Sequence, residues 1–224
     1  MTTNLKITLG IAAVMAAIVA VIAVFGDFGA RSTGSVADAA AGQSVPAEVL
    51  VRPDSHTLST AADGKVTLVE FLDFECEACG AVFPHTERIR AEYDGRITFV
   101  VRYFPMPGHR NGELAARVAE AAGKQDRFEA MYAKLFETQK QWGEASESKE
   151  VFFADLAKQV GLDMTAFHAD LIASATAQRV KKDQDDGRQL DIQGTPTIFF
   201  NGAQLTEEPS YENLKARIDA ALAS

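Results

Sequence analysis

An α/β fold with an inserted α-helical subdomain, preceded by an N-terminal transmembrane helix, is predicted by three features of this 224-residue sequence. Two β-branched, apolar runs, Lys65–Phe74 and Arg96–Phe104, bracket a stretch of helical spacing. Five more helical stretches follow before strand character returns at Thr195. Ahead of them all, Ile7–Phe25 carries no charge. As a helix that run would span roughly 28 Å, close to the ~30 Å hydrocarbon layer of a bilayer.

Lys6 and the terminal amine precede the run, while Asp27 and Arg31 follow it and cancel. The positive-inside bias therefore keeps residues 1–6 cytoplasmic and sends everything after Phe25 across the membrane. A secreted or periplasmic product is the alternative. It would need a small-x-small cleavage site, and the best one, Ala37-Asp38-Ala39, lies well beyond the apolar run. The expected organisation is thus a cytoplasmic N-terminus (1–6), an anchor or uncleaved signal (7–25), a flexible Ala/Gly/Ser-rich linker (26–47) and a folded domain (48–224). Both readings place that domain where disulfides persist.

A composition of 47% hydrophobic and 24% charged residues is that of a folded domain. The net charge of -9 argues against a nucleic-acid surface, which needs clustered Lys and Arg. Within the domain, "KVTLVEFLDF" reads as a buried strand that runs into "ECEACG", and from Cys79 to about Tyr93 the spacing is helical. "RITFVVRYF" is a second buried strand, ended by Pro105 and Pro107. Strand, helix and strand make one βαβ unit. The helical insertion, at about 108–192, contains "GELAARVAEAAG", "DRFEAMYAKLFETQ", "KEVFFADLAKQVG", "MTAFHADLI" capped by Asp163, and "ATAQRVKKDQDDGRQL". Asn201-Gly202 between apolar runs predicts a type I′ hairpin, and Pro209 is expected to open the last helix.

The chain has only two cysteines, Cys76 and Cys79. A structural zinc site would want four N or S ligands, but no second CxxC exists and His56, His85, His109 and His168 are scattered. A structural bridge closing so short a loop constrains little of the unfolded chain. A redox pair explains the placement. Cys76 falls where a strand ends and a helix begins, and there free N–H groups and the helix dipole favour a thiolate. Cys79, one turn on and inward, can reach the first sulfur. Thr195-Pro196 stands just before a buried strand, where a cis peptide would bend the chain sharply and leave the Thr195 backbone free to pair with an extended peptide. Glu70 lies within a buried strand, so its carboxyl should titrate high enough to exchange a proton with Cys79.

"VEFLDFECEAC", "RYFPMPGHRNGELAARVAEAA" and "GTPTIFFNG" together resemble the DsbA-like thiol:disulfide oxidoreductases, specifically the exported or membrane-tethered branch with a thioredoxin-like fold and inserted helical domain. The resemblance runs from about Ala47 to the C-terminus. It implies that Cys76 is the nucleophile, Cys79 its partner, Pro196 the cis-proline and Glu70 the buried acid beneath the disulfide; His109 also matches. The departure is Glu77-Ala78 between the cysteines, where strongly oxidising members often carry Pro-His. A solvated carboxylate ~6–8 Å from the sulfur costs its thiolate roughly 0.5–1 kcal/mol, comparable to the helix-end gain of about 0.3–1 kcal/mol.

The resemblance further implies disulfide donation to exported cysteine-containing proteins by a monomer, without bound cofactor or metal. Reoxidation would come from a membrane quinone-linked oxidase of the DsbB or vitamin-K-epoxide-reductase type. No Gly-rich phosphate loop is present. A disulfide reductase or isomerase is one alternative; a non-catalytic peptide-binding chaperone is another.

Overall fold

Alternation along two buried strands organises the domain. The computed structural model describes residues 44–224; the expected cytoplasmic N-terminus, the span 7–25 and most of the linker lie outside them. Among the described residues no helix is long and apolar enough to cross a membrane. A short helix α1 (Ala47–Leu50) leads into β1 (His56–Ser59) and β2 (Thr67–Leu72). Next come α2 (Glu77–Glu92) and β3 (Thr98–Tyr103), which pairs in parallel with β2 from Thr67↔Thr98 to Leu72↔Tyr103. This is the predicted βαβ unit.

Five helices separate β3 from the remaining strands: α3 (Gly112–Gly123), α4 (Phe128–Glu137), α5 (Glu150–Gln159), α6 (Met164–Ile172) and α7 (Ser174–Gln189). A one-turn 3-10 helix, Gln139–Gln141, follows α4. The chain then re-enters the sheet as β4 (Thr197–Phe200) and β5 (Ala203–Gln204) and finishes in α8 (Tyr211–Ala223). The sheet order is β1-β3-β2-β4-β5, antiparallel except for β2 with β3. Asn201 and Gly202 turn β4 into β5 with φ of 46° and 87°, the positive values a type I′ turn requires. The Asp163 carboxylate caps α6 through the Ala166 amide, as expected.

Two details differ from the sequence reading. Strand β1 goes unrecognised there, because four half-exposed residues beginning with His show no apolar run. Pro209 does not open the last helix: Ser210 is the N-cap, its hydroxyl accepting from the Asn213 amide, and the helix starts at Tyr211.

Side chains alternate across a strand, so β2 sends Leu68 and Leu72 to one core and Val69 and Phe71 to the other. Glu70 shares parity with Leu68 and Leu72 and therefore faces the core that holds Cys79 and α2. On β3, Arg102 shares parity with Val100 and is fully buried on the opposite face. Its guanidinium donates to Asp183 at 2.5 Å, to Asp186 at 2.5 Å and to the Leu50 carbonyl at 2.6 Å. Arg52 and Arg179 complete the network through Asp186 and Asp183. These pairs tie α1, the sheet and α7 of the insertion together.

Candidate active site

The strand β2 ends at Leu72, four residues before Cys76, and Cys76 occupies the N-cap of α2 with an extended backbone. An N-cap residue stands at the mouth of the helix, where the first amides lack intrahelical partners. Cys79 is in the first turn and fully buried, whereas Cys76 is half-buried; both are free thiols. The Thr195–Pro196 peptide is cis, and the Thr195 carbonyl accepts from the Cys76 thiol at 3.3 Å. The structure therefore brings Cys76, Cys79, Thr195 and Pro196 to one point, the C-terminal end of β2 facing the start of β4.

The Cys76 thiol is lowered to about 5 from the usual value near 9. Sequence reasoning credits the helix end, but the largest contribution is a hydrogen bond from the Cys79 thiol. Thr195 and the amides of Cys79 and Ala78 act in the same direction. Burial opposes them. Cys79 moves the other way, well above its usual value, because it is desolvated and donates to Cys76. One sulfur is thus set to carry charge and its neighbour to hold its proton.

Glu70 is buried beneath this pair, and its Oε2 has no hydrogen-bond partner. Desolvation, with the charges of Glu87 and Cys76 behind it, raises the carboxyl to about 8. An acid titrated that high in the fold and near ~4.3 when unfolded keeps a proton that the unfolded chain releases. The stability it contributes is fully present below about pH 4.3 and is lost as pH rises toward 8. Glu70→Gln removes that loss. We expect the variant to match the parent at pH 4 and to exceed it at pH 8 by on the order of a few kcal/mol in urea melts.

The acids in and beside the motif divide. Glu77 is exposed, as the sequence reading assumes. Glu75 is buried instead and accepts backbone amides, from Asn111 at 2.6 Å and Glu144 at 3.1 Å. Asp73 is buried as well. It accepts from the Glu75 amide at 2.9 Å, the Met106 amide at 2.8 Å and His109 Nδ1 at 2.6 Å. Burial lowers the His109 imidazole, but the Asp73 carboxylate more than offsets this and raises it. His109 thus braces the loop after β3 against the redox turn. Nothing in the spacing of Asp73, Glu75, Asn111 or Gln139 marks them in the sequence, because chain segments far apart supply their partners. Among the described residues no group of three or more His, Cys, Asp or Glu side chains could hold a metal ion.

Comparison with known proteins agrees with this geometry. The family model described as thioredoxin matches residues 59–220. A probable disulfide bond formation protein D from Bacillus anthracis is 31% identical over 169 residues, covering 71% of this chain and 75% of that protein. The Na(+)/H(+) antiporter NhaA of Herminiimonas arsenicoxydans is 30% identical over 171 residues, 76% of this chain but 26% of its own length. The chain thus spans about a quarter of the antiporter relatives it matches. The crystal structure of oxidised BdbD from Bacillus subtilis superposes with a TM-score of 0.64 at 25% identity, over 81% of this chain and 97% of that one. A thioredoxin-like sheet with its helices inserted between β3 and β4, and a relative in disulfide formation aligned over most of both lengths, place this chain in the DsbA-like thiol:disulfide oxidoreductase family.

Proposed function

We propose that the chain donates disulfides to exported, cysteine-containing proteins through Cys76 and Cys79. The observation that carries this direction is the opposite displacement of the two thiols, Cys76 down to about 5 and Cys79 well up. As an attacker, a thiol this acidic gains little. Its thiolate fraction at pH 7 rises about 100-fold over a thiol titrating near 9, yet a Brønsted slope of ~0.4–0.5 over four units removes most of that. As a leaving group it gains without offset. The reduced state is also stabilised, by on the order of tens of millivolts once the solvent exposure of Cys76 is allowed for.

In the donor cycle a client thiolate attacks Cys76 Sγ of the enzyme disulfide, and Cys79 leaves as a thiolate that takes a proton from Glu70. A second client thiolate then attacks the client sulfur of the mixed disulfide, and Cys76 departs as its stabilised thiolate. The client has lost two electrons and the enzyme has gained them. Thr195 and Pro196 would hold the client segment, with the Thr195 backbone pairing to it as a strand. The uncharged run Ile7–Phe25 supports tethering of the domain outside the cytoplasm, near a membrane quinone-linked oxidase that would restore the disulfide.

Equilibration with glutathione redox buffer tests the reading. A donor comes to a potential above about -180 mV; a value below about -250 mV, near that of thioredoxin, would make the chain a reductase instead. A chaperone would still promote folding of disulfide-containing clients after Cys76→Ser and Cys79→Ser together, whereas the donor loses that activity.

A further inference from the structure

Gln139 begins the 3-10 turn after α4, far from the cysteines in sequence, yet its side chain is buried against them. Its carboxamide Nε2 donates to the carbonyls of Phe74 and Cys76, each at 2.8 Å. Those two carbonyls lie on either side of Glu75. The orientation of the carboxamide follows from its partners: turned over, its oxygen would face two carbonyl oxygens. The Cys76 carbonyl also accepts the first bond of α2, from the Gly80 amide at 3.1 Å.

Gly80 supplies a second, independent sign that this space is reserved. A Cβ there would stand 2.1 Å from Gln139 Oε1. Alanine normally outranks glycine inside a helix by about 1 kcal/mol, so the glycine needs a reason, and the Gln139 carboxamide provides one. A few residues on, Glu144 donates its amide to the Glu75 carboxylate. Residues 139–144 of the insertion therefore hold Phe74, Glu75 and Cys76 in succession.

We infer that Gln139 is a positioning residue for thiol exchange, fixing the peptide planes around Cys76 so that its sulfur meets the Ala78 and Cys79 amides and Thr195. The inference rests on the activity proposed above. It gives the helical insertion a part in the chemistry: the insertion sets the geometry of the turn that bears the reactive sulfur. A residue that only fills space and satisfies two carbonyls would affect stability alone.

The test follows the alkylation rate of Cys76 in the reduced chain as a function of pH, alongside the melting temperature and the exchange of the oxidised chain with a dithiol peptide. Gln139→Met keeps the volume and removes both donors; Gly80→Ala leaves Gln139 in the chain but displaces its carboxamide. Each should raise the Cys76 pKa by about 0.5–1 unit. In the double variant Gly80→Ala with Gln139→Ala the clash is gone, so the shift should be no larger than for Gln139→Ala alone. Unchanged alkylation profiles with lowered melting temperatures would overturn the inference. Should Gln139→Met fail to fold, the Gly80→Ala profile decides. Wild-type chain that does not exchange with the peptide would overturn the proposed activity instead, and the alkylation profiles would still judge Gln139.

Discussion

Cys76→Ser should reduce disulfide exchange to background, while Cys79→Ser should accumulate a mixed disulfide with its client through Cys76. The asymmetry follows from exposure and charge together. Cys76 is half-buried at the mouth of α2, and its thiolate is stabilised by Cys79, Thr195 and two amides. Cys79 is fully buried and holds its proton. On this geometry a client should reach only the first sulfur, and within the enzyme only the second is placed to displace it. Serine at position 76 cannot form a disulfide, so nothing remains. Serine at position 79 leaves a thiolate that attacks a client disulfide and expels one client sulfur as a thiolate, and without Cys79 to displace the bound client the covalent complex accumulates. Non-reducing electrophoresis with a client that carries a disulfide reads both results. A mixed disulfide formed through Cys79 in the Cys76→Ser protein would contradict the assignment.

The largest effect on stability is expected at Arg102. It is fully buried, and Asp183 beside it is also fully buried. Removing one partner of a buried ion pair strands the other charge in a medium that solvates it poorly, at about 3–5 kcal/mol. Arg102→Ala should therefore lower the melting temperature by roughly 6–20 °C, taking 2–4 °C per kcal/mol for a domain of this size. Lys158→Ala, which breaks only the exposed pair with Asp155, should stay within about 0.5 kcal/mol of the parent. Arg179 and Arg52 still contact Asp183 and Asp186, and they set the lower end of the Arg102 range. Thermal melts of the two variants make the comparison; equal losses would show that burial does not govern this network.

Periodicity made most of the architecture legible. The β2 and β3 runs are buried on both faces, and the insertion helices show apolar stripes, so their positions could be read without tertiary information. The CxxC after a strand and the Thr195-Pro196 pair are local patterns, and the structure brings them together. Strand β1 and the arrangement around the redox turn were not legible. Strand β1 is defined by its pairing with β3, not by its own composition. The burial of Glu75 has no sequence signature, because sequence shows its type but not the Asn111 and Glu144 amides that surround it. Gln139 carried no signal at all, since its two acceptors come from a turn more than sixty residues earlier. The helix-end pull on Cys76 is legible in sequence, where the Glu77 carboxylate is expected to offset it; the fall to about 5 comes mainly from the second cysteine, which that balance leaves out.

Titration of the reduced chain, followed by ultraviolet thiolate absorbance, tests the central claim most directly. Two separated steps are predicted: one thiolate forming near pH 5 and assigned to Cys76 by its loss in Cys76→Ser, the other forming only well above the ordinary thiol range. If both cysteines ionise together close to pH 9, no sulfur is poised for exchange and the account is wrong.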